Sequence, residues 1–169
     1  MLKPLNQSQD VIDCLEEFAS DPKEFIILSG TNGSGKTYAA MAVYEVVTPY
    51  VLPAYDYDIA YFSTQVDLNN RWKQMMKDYG DTQFLSDQIV GAKLFILDDL
   101  GTRTPSDAFM DFLYEIADKR YTHRKTRGTI ITTNLNAFDM REKFGDAFTS
   151  RVSYNKCFRL DYEDRRIIA

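Results

Sequence analysis

At 169 residues with a net charge of −5, the chain has the length of one domain, and its charge excludes tight sequence-independent DNA binding by an isolated copy. Apolar residues make up 44% and charged residues 27%, which excludes disorder, and nothing approaches the roughly 20 apolar residues of a membrane span or the layout of a secretory leader. Two cysteines, Cys14 and Cys157, without CxxC spacing, and one histidine, His123, exclude a zinc site. A cytoplasmic protein that makes no use of a membrane is expected, with both cysteines reduced and serving as small apolar residues.

The first 22 residues read as a helical segment, in which Val11, Ile12, Leu15 and Phe18 recur at helical spacing after the N-cap candidates Ser8 and Asp10. Asp21-Pro22 ends it, and residues 23–169 form the core of a single domain. Phe25–Leu28 is a continuous apolar run, as in a buried parallel strand, and leads into a glycine-rich turn. A helix follows from Thr37, with Ala39, Ala40, Val43, Tyr44 and Val47 in period. Thr48–Asp58, with two prolines and three tyrosines, reads as a loop to a second strand at Ile59–Phe62. Ser63 or Thr64 then caps a helix through Leu68, Trp72, Met75 and Met76. A third strand, Lys93–Leu97, ends in Asp98-Asp99. The next helix starts near Thr104 or Ser106 and buries Phe109, Phe112, Leu113, Ile116 and Ala117. Thr129–Thr133 is β-branched throughout and makes a fourth strand. Short helical pieces at Phe138–Phe144 and Asp146–Val152 precede a fifth strand, Cys157–Leu160. Strands alternating with helices predict an α/β fold with a parallel five-stranded sheet flanked by helices.

Gly30-Thr31-Asn32-Gly33-Ser34-Gly35-Lys36-Thr37 matches G-x-x-x-x-G-K-[ST], the phosphate-binding loop, and falls between a predicted strand and a predicted helix. Glycines let the backbone wind around phosphate oxygens, so that successive N–H groups and the helix N-terminus face the anion. In that chemistry Lys36 reaches the terminal phosphates of ATP and the Thr37 hydroxyl ligates Mg²⁺. The apolar strand ending in Asp98-Asp99 supplies the partner signal: Asp98 holds the metal through its water shell, and Asp99 polarises the attacking water. Asn134, closing the fourth strand, brings a side-chain amide within reach of the γ-phosphate or the water.

The ordered trio GTNGSGKT, LFILDD and TIITTN, with Leu97-Asp-Asp-Leu-Gly101, Leu113-Tyr-Glu-Ile and Arg120-Tyr121, resembles the AAA+ ATPases over about residues 6–166. Within them it is similar to the DnaC/DnaI-type helicase loaders and the related IstB transposition ATPases. The resemblance implies that Asn134 is the sensor asparagine. It also implies that Arg151, after Gly145-Asp146 and Ser150, is an arginine finger serving a neighbour's ATP in a head-to-tail assembly. It carries with it a replicative helicase or single-stranded DNA as partner, the DNA bound weakly. Arg165-Arg166 resembles the family's terminal arginine pair. About nine residues follow the last predicted strand, so the helical lid of many AAA+ proteins is expected to be missing; about 24 precede the first, too few for a separate helicase-gripping domain.

Lys119–Arg127 is the one dense basic run, expected at the sheet edge away from the phosphates, where cations suit a helix C-terminus. Arg71-Trp72-Lys73 combines charge with a ring that suits base stacking, although Trp72 also fits the core stripe of its helix. The alternatives to a helicase-loader ATPase are an IstB-like regulator of a transposase, an adaptor that binds ATP without useful turnover, and a small-molecule kinase. Paired acids and Asn134, placed to activate water, disfavour the kinase.

Overall fold

The computed structural model describes residues 2, 3, 5, 7–48, 59–153 and 155–160. The expected tyrosine-bearing loop after Thr48 and the pair Arg165-Arg166 lie outside the described residues, as does everything after Leu160 on which the expectation of a missing lid bears.

Five strands, β1 (Glu24–Gly30), β2 (Ala60–Thr64), β3 (Leu94–Leu100), β4 (Gly128–Thr133) and β5 (Lys156–Leu160), form one sheet in the order β2-β3-β4-β1-β5. Every pairing is parallel. Among the described residues α1 (Gln9–Ser20) precedes the first strand, and α2 (Lys36–Val47), α3 (Gln65–Tyr79), α4 (Gln83–Gly91), α5 (Asp107–Thr122) and α6 (Ala137–Val152) lie between the strands. Strand parity explains the layering, since successive side chains leave opposite faces. Ile26, Leu28, Leu94, Ile96 and Ile130 meet Leu15 and Phe18 of α1 and Ala39, Ala40 and Val43 of α2. Phe25, Ile27, Phe95, Leu97 and Ile131 meet Leu68, Leu85, Ile89, Phe109, Phe112, Phe144 and Phe148 from α3–α6. With both faces covered, strands read as continuous apolar runs, and every residue of β4 is buried.

Of the two cap candidates at each helix start, Thr64 and Ser106 stand at the N-cap, their hydroxyls accepting from the N–H groups of Asp67 at 3.1 Å and Phe109 at 3.4 Å. Ser8 occupies the N-cap of α1 without a side-chain bond, and Asp10 lies inside the first turn. The two pieces expected at Phe138–Phe144 and Asp146–Val152 are present as the two halves of α6, which meet at a kink at Gly145, whose φ of 80° and ψ of 162° no helix accepts. Helix α4 had no counterpart among the predicted elements, and β3 runs on through both acids to Leu100. Cys14 is buried as expected, but Cys157 is exposed because β5 is an edge strand. Both are free thiols. No helix among the described residues is long and apolar enough to cross a membrane.

Candidate nucleotide site

The carboxyl ends of β1, β3 and β4 lie side by side, and the glycine-rich turn, the paired acids and Asn134 leave the sheet there. Gly30 ends β1 with a φ of 143°, and a Cβ on it would overlap the carbonyl oxygen of Leu160 on the neighbouring strand. Gly35 (φ 89°) reverses the chain into α2. Only glycine satisfies both demands cheaply, and the consequence is a backbone cradle that ends on the N-terminus of a 12-residue helix.

Lys36 is 5% exposed and curls over this loop, donating to the carbonyls of Gly30 at 3.0 Å and Thr31 at 2.7 Å. Ser34 is fully buried with its hydroxyl unpartnered, while its carbonyl accepts from the Gln7 amide at 2.8 Å. Thr37 faces β3 and donates its hydroxyl to the Asp98 carboxylate, 3.0 Å from both oxygens.

Asp98 and Asp99 are consecutive on a strand and so have opposite environments. Asp98 is 3% exposed, and it also accepts from the Thr132 hydroxyl at 2.6 Å. Burial pushes its carboxyl above the ordinary range, while the hydrogen bonds from Thr132 and Thr37 pull it back. Asp99 is exposed, in the left-handed region at φ 54°. Its N–H is tied to the same Thr132 hydroxyl at 2.9 Å, so one threonine of the central strand sets the aim of both acids. Gln65 secures the turn beyond them, accepting from the Gly101 N–H at 2.7 Å and donating to the Arg103 carbonyl at 3.0 Å. Asn134 reaches across to donate to Asn32 at 2.7 Å. These groups open onto one cleft of about 740 Å³, lined by Asn32, Gly33, Lys36, Thr37, Asp99 and Asn134, with Tyr38, Met41 and Thr102 on its outer wall.

The donor set fits a nucleotide and a hard cation. A wound loop followed by a helix N-terminus suits a polyphosphate, and a hydroxyl 3.0 Å from a buried carboxylate presents the oxygen ligands that Mg²⁺ prefers.

Arg151 lies elsewhere. It ends α6, where it meets the end of α5, with Nε donating to Asp118 at 2.9 Å and the guanidinium 5.4 Å from the Tyr121 ring centre. Both helices run back from the carboxyl ends of the strands, so Arg151 sits at the opposite edge of the sheet, roughly 20 Å from the cleft at the rise of a six-residue strand. The basic run is spent on structure. Arg120 is 1% exposed and donates to the carbonyls of Ile89 at 3.1 Å, Ala92 at 2.5 Å and Gly128, and to the Thr129 hydroxyl at 3.0 Å. Arg127 donates to the Val90 carbonyl, and Arg124 and Lys125 pair with Glu24. Trp72 is partly buried and packs against Phe109 and Phe112 at the margin of the core, the second of the two roles its helix position allowed. Sequence reasoning missed Thr132, Gln65 and the burial of Arg120. Thr132 alone carried a signal, its place at the end of a strand beside the one that bears the acids.

The sequence model of the family described as IstB-like ATP binding protein matches residues 9–153. Among solved structures, the chain is similar to the DnaC helicase loader at 25% identity and a TM-score of 0.74, over 95% of this chain and 93% of that one. It also superposes on DnaI (18% identity, TM-score 0.73, 97% and 88% covered) and on AMPPCP-bound DnaA from Aquifex aeolicus (15%, 0.78, 95% and 49%). These last two show the fold alone, and the chain spans about half of that DnaA. No curated protein matches.

Proposed function

Because the chain belongs to the family of IstB-like ATP binding proteins, we propose that it binds ATP with Mg²⁺, hydrolyses it, and couples this to head-to-tail assembly of the helicase-loader type. The observation that carries the reading is the meeting of Thr37, Asp98, Asp99 and Asn134 around one phosphate-binding loop. Lys36 would leave its loop carbonyls for the terminal phosphates. Thr37 and Asp98 would hold the metal, which when bound supplies neutralisation of phosphate charge. Asp99, exposed to the cleft, would orient the attacking water and accept its proton, and Asn134 would leave Asn32 to bind the γ-phosphate or that water. Arg151 is too far to serve its own cleft and would serve a neighbour's, spreading the negative charge of the transition state.

The likeness to the DnaC loader, extending over nearly both chains, supports a replicative helicase or single-stranded DNA as partner. A monomer of charge −5 would bind DNA weakly until assembly aligned several copies. The family match favours a second reading, an IstB-like ATPase that acts on a transposase. Recovery of the native partner with the protein bound to a slowly hydrolysed ATP analogue distinguishes helicase from transposase.

Steady-state hydrolysis, with and without single-stranded DNA, tests the enzyme. No turnover under any condition would leave a nucleotide-dependent adaptor. Mixing Arg151→Ala with Asp99→Asn tests the shared site: each is expected to be inactive alone, and about a quarter of the interfaces in a random mixture would be intact. If the mixture stays dead while each variant assembles with wild type, Arg151 is not the finger.

A further inference from the structure

The end of α5 holds Arg151 in a way that a surface arginine does not need. Asp118 and Tyr121 stand three residues apart, on one face of the helix, and meet the same guanidinium from two directions. The carboxylate takes the Nε–H at 2.9 Å and the ring lies 5.4 Å from Cζ. Neither Nη1 nor Nη2 has a hydrogen-bond partner among the described residues, and the side chain remains 35% exposed. An arginine recruited to pin two helices together would be expected to spend its terminal fork on the carboxylate, the bidentate geometry that this side chain favours. Here the fork is left over and the stem is fixed. Tyr121 is itself braced, with the Arg124 guanidinium 4.1 Å from its ring centre, and Arg124 pairs with Glu24 at the start of β1.

We infer that Asp118 and Tyr121 are positioning residues for the trans-acting arginine, holding the Arg151 side chain extended and oriented so that its two terminal amino groups are presented to the phosphates in a neighbouring subunit. The inference rests on the finger reading of Arg151 and adds the residues that set its geometry. Preorganisation is what gives such a group its effect, because a free arginine would have to surrender several rotamers at the moment of reaction.

Asp118→Asn is the variant of choice, since the pair is exposed enough that its loss leaves the fold standing. In the full chain with ATP, kcat should fall about tenfold, the size of effect typical of groups that orient a reacting ligand, with ATP affinity unchanged. Asp118→Glu should recover part of the loss. In an Arg151→Ala background Asp118→Asn should cost nothing more. Mixed with Asp99→Asn subunits, which keep both Arg151 and Asp118, the Asp118→Asn subunits should regain turnover in their own intact clefts. If Arg151→Ala turns over like wild type, the finger reading falls and this inference with it. If Arg151→Ala is impaired but Asp118→Asn is not, only the positioning role is overturned. It is equally overturned if Asp118→Asn weakens ATP binding, adds to Arg151→Ala, or is not rescued by mixing, each of which marks a structural role within its own subunit.

Discussion

Replacing Arg120 with methionine tests the claim that a residue of the basic run is a core residue. The guanidinium is 1% exposed and its donors end on the carbonyls of Ile89, Ala92 and Gly128, which belong to α4, the turn after it, and the start of β4. Methionine fills most of the volume but donates nothing. Three buried carbonyls left without this donor cost about 1–3 kcal/mol each, some 6 kcal/mol together. Removing the buried charge returns its own desolvation penalty, several kcal/mol after relaxation. The net expectation is destabilisation by about 3 kcal/mol, a large part of the 5–15 kcal/mol that holds a domain of this size. With a urea slope near 2 kcal/mol/M, the unfolding midpoint should drop by about 1.5 M at unchanged slope. Lysine should be intermediate, since an ammonium cannot span carbonyls that a planar fork reaches. A midpoint shift under about 0.4 M for methionine would refute the reasoning. It would mean that the carbonyls find other donors and that the buried guanidinium is energetically idle. Burial and the neighbouring Arg127 lower the Arg120 pKa to about 9, which still leaves it charged at neutral pH.

Lys36→Ala should abolish ATP binding in isothermal titration, since the loop offers the polyphosphate no second lysine; unchanged affinity would remove the phosphate-loop assignment. Asp99→Asn should bind ATP normally and lose turnover by about two orders of magnitude or more, as for removal of a general base, and equal loss of binding would show that Asp99 has another role. Gly30→Ala should fail to bind nucleotide even if it folds, because the new methyl group competes with the Leu160 carbonyl for space. Normal binding would mean that β5 yields at no cost. Binding to a labelled single-stranded oligonucleotide, read by fluorescence anisotropy at physiological salt, should need ATP; tight binding without nucleotide would contradict assembly-dependent contact.

The sheet and the nucleotide loop were legible because their signals are local. Two glycines, a lysine and a threonine must occur at fixed spacing for the loop to close, and β1 and β3 are apolar because both faces are covered. Helix α4 was not legible, since it is nine residues long, its cap position Thr82 makes no side-chain bond, and Phe84 is exposed where a core face would be expected. Arg120 was hidden by its neighbours: eight flanking residues rich in charge make a buried guanidinium look like one more surface cation. Thr132 was hidden by uniformity, because in a strand buried on both faces parity cannot be read, and its hydroxyl gains meaning only when Asp98 and Asp99 arrive from a strand some 30 residues earlier. The exposure of Cys157 likewise depends on sheet order, which no property of β5 alone reveals.

The pairing of β1 also bears on how the chain is made. Its two partners, β4 and β5, are synthesised roughly a hundred and a hundred and thirty residues after it. At translation rates of about 5–20 residues per second, the segment Phe-Ile-Ile-Leu waits on the order of ten seconds for the first of them. Through that interval an apolar strand has neither neighbour, and the wall against which Gly30 closes does not exist. The phosphate loop is therefore among the earliest segments translated and among the last to be walled in: a nascent chain halted before β4 would display β1 with neither partner to chaperones, and one halted between β4 and β5 would still lack the strand against which Gly30 closes.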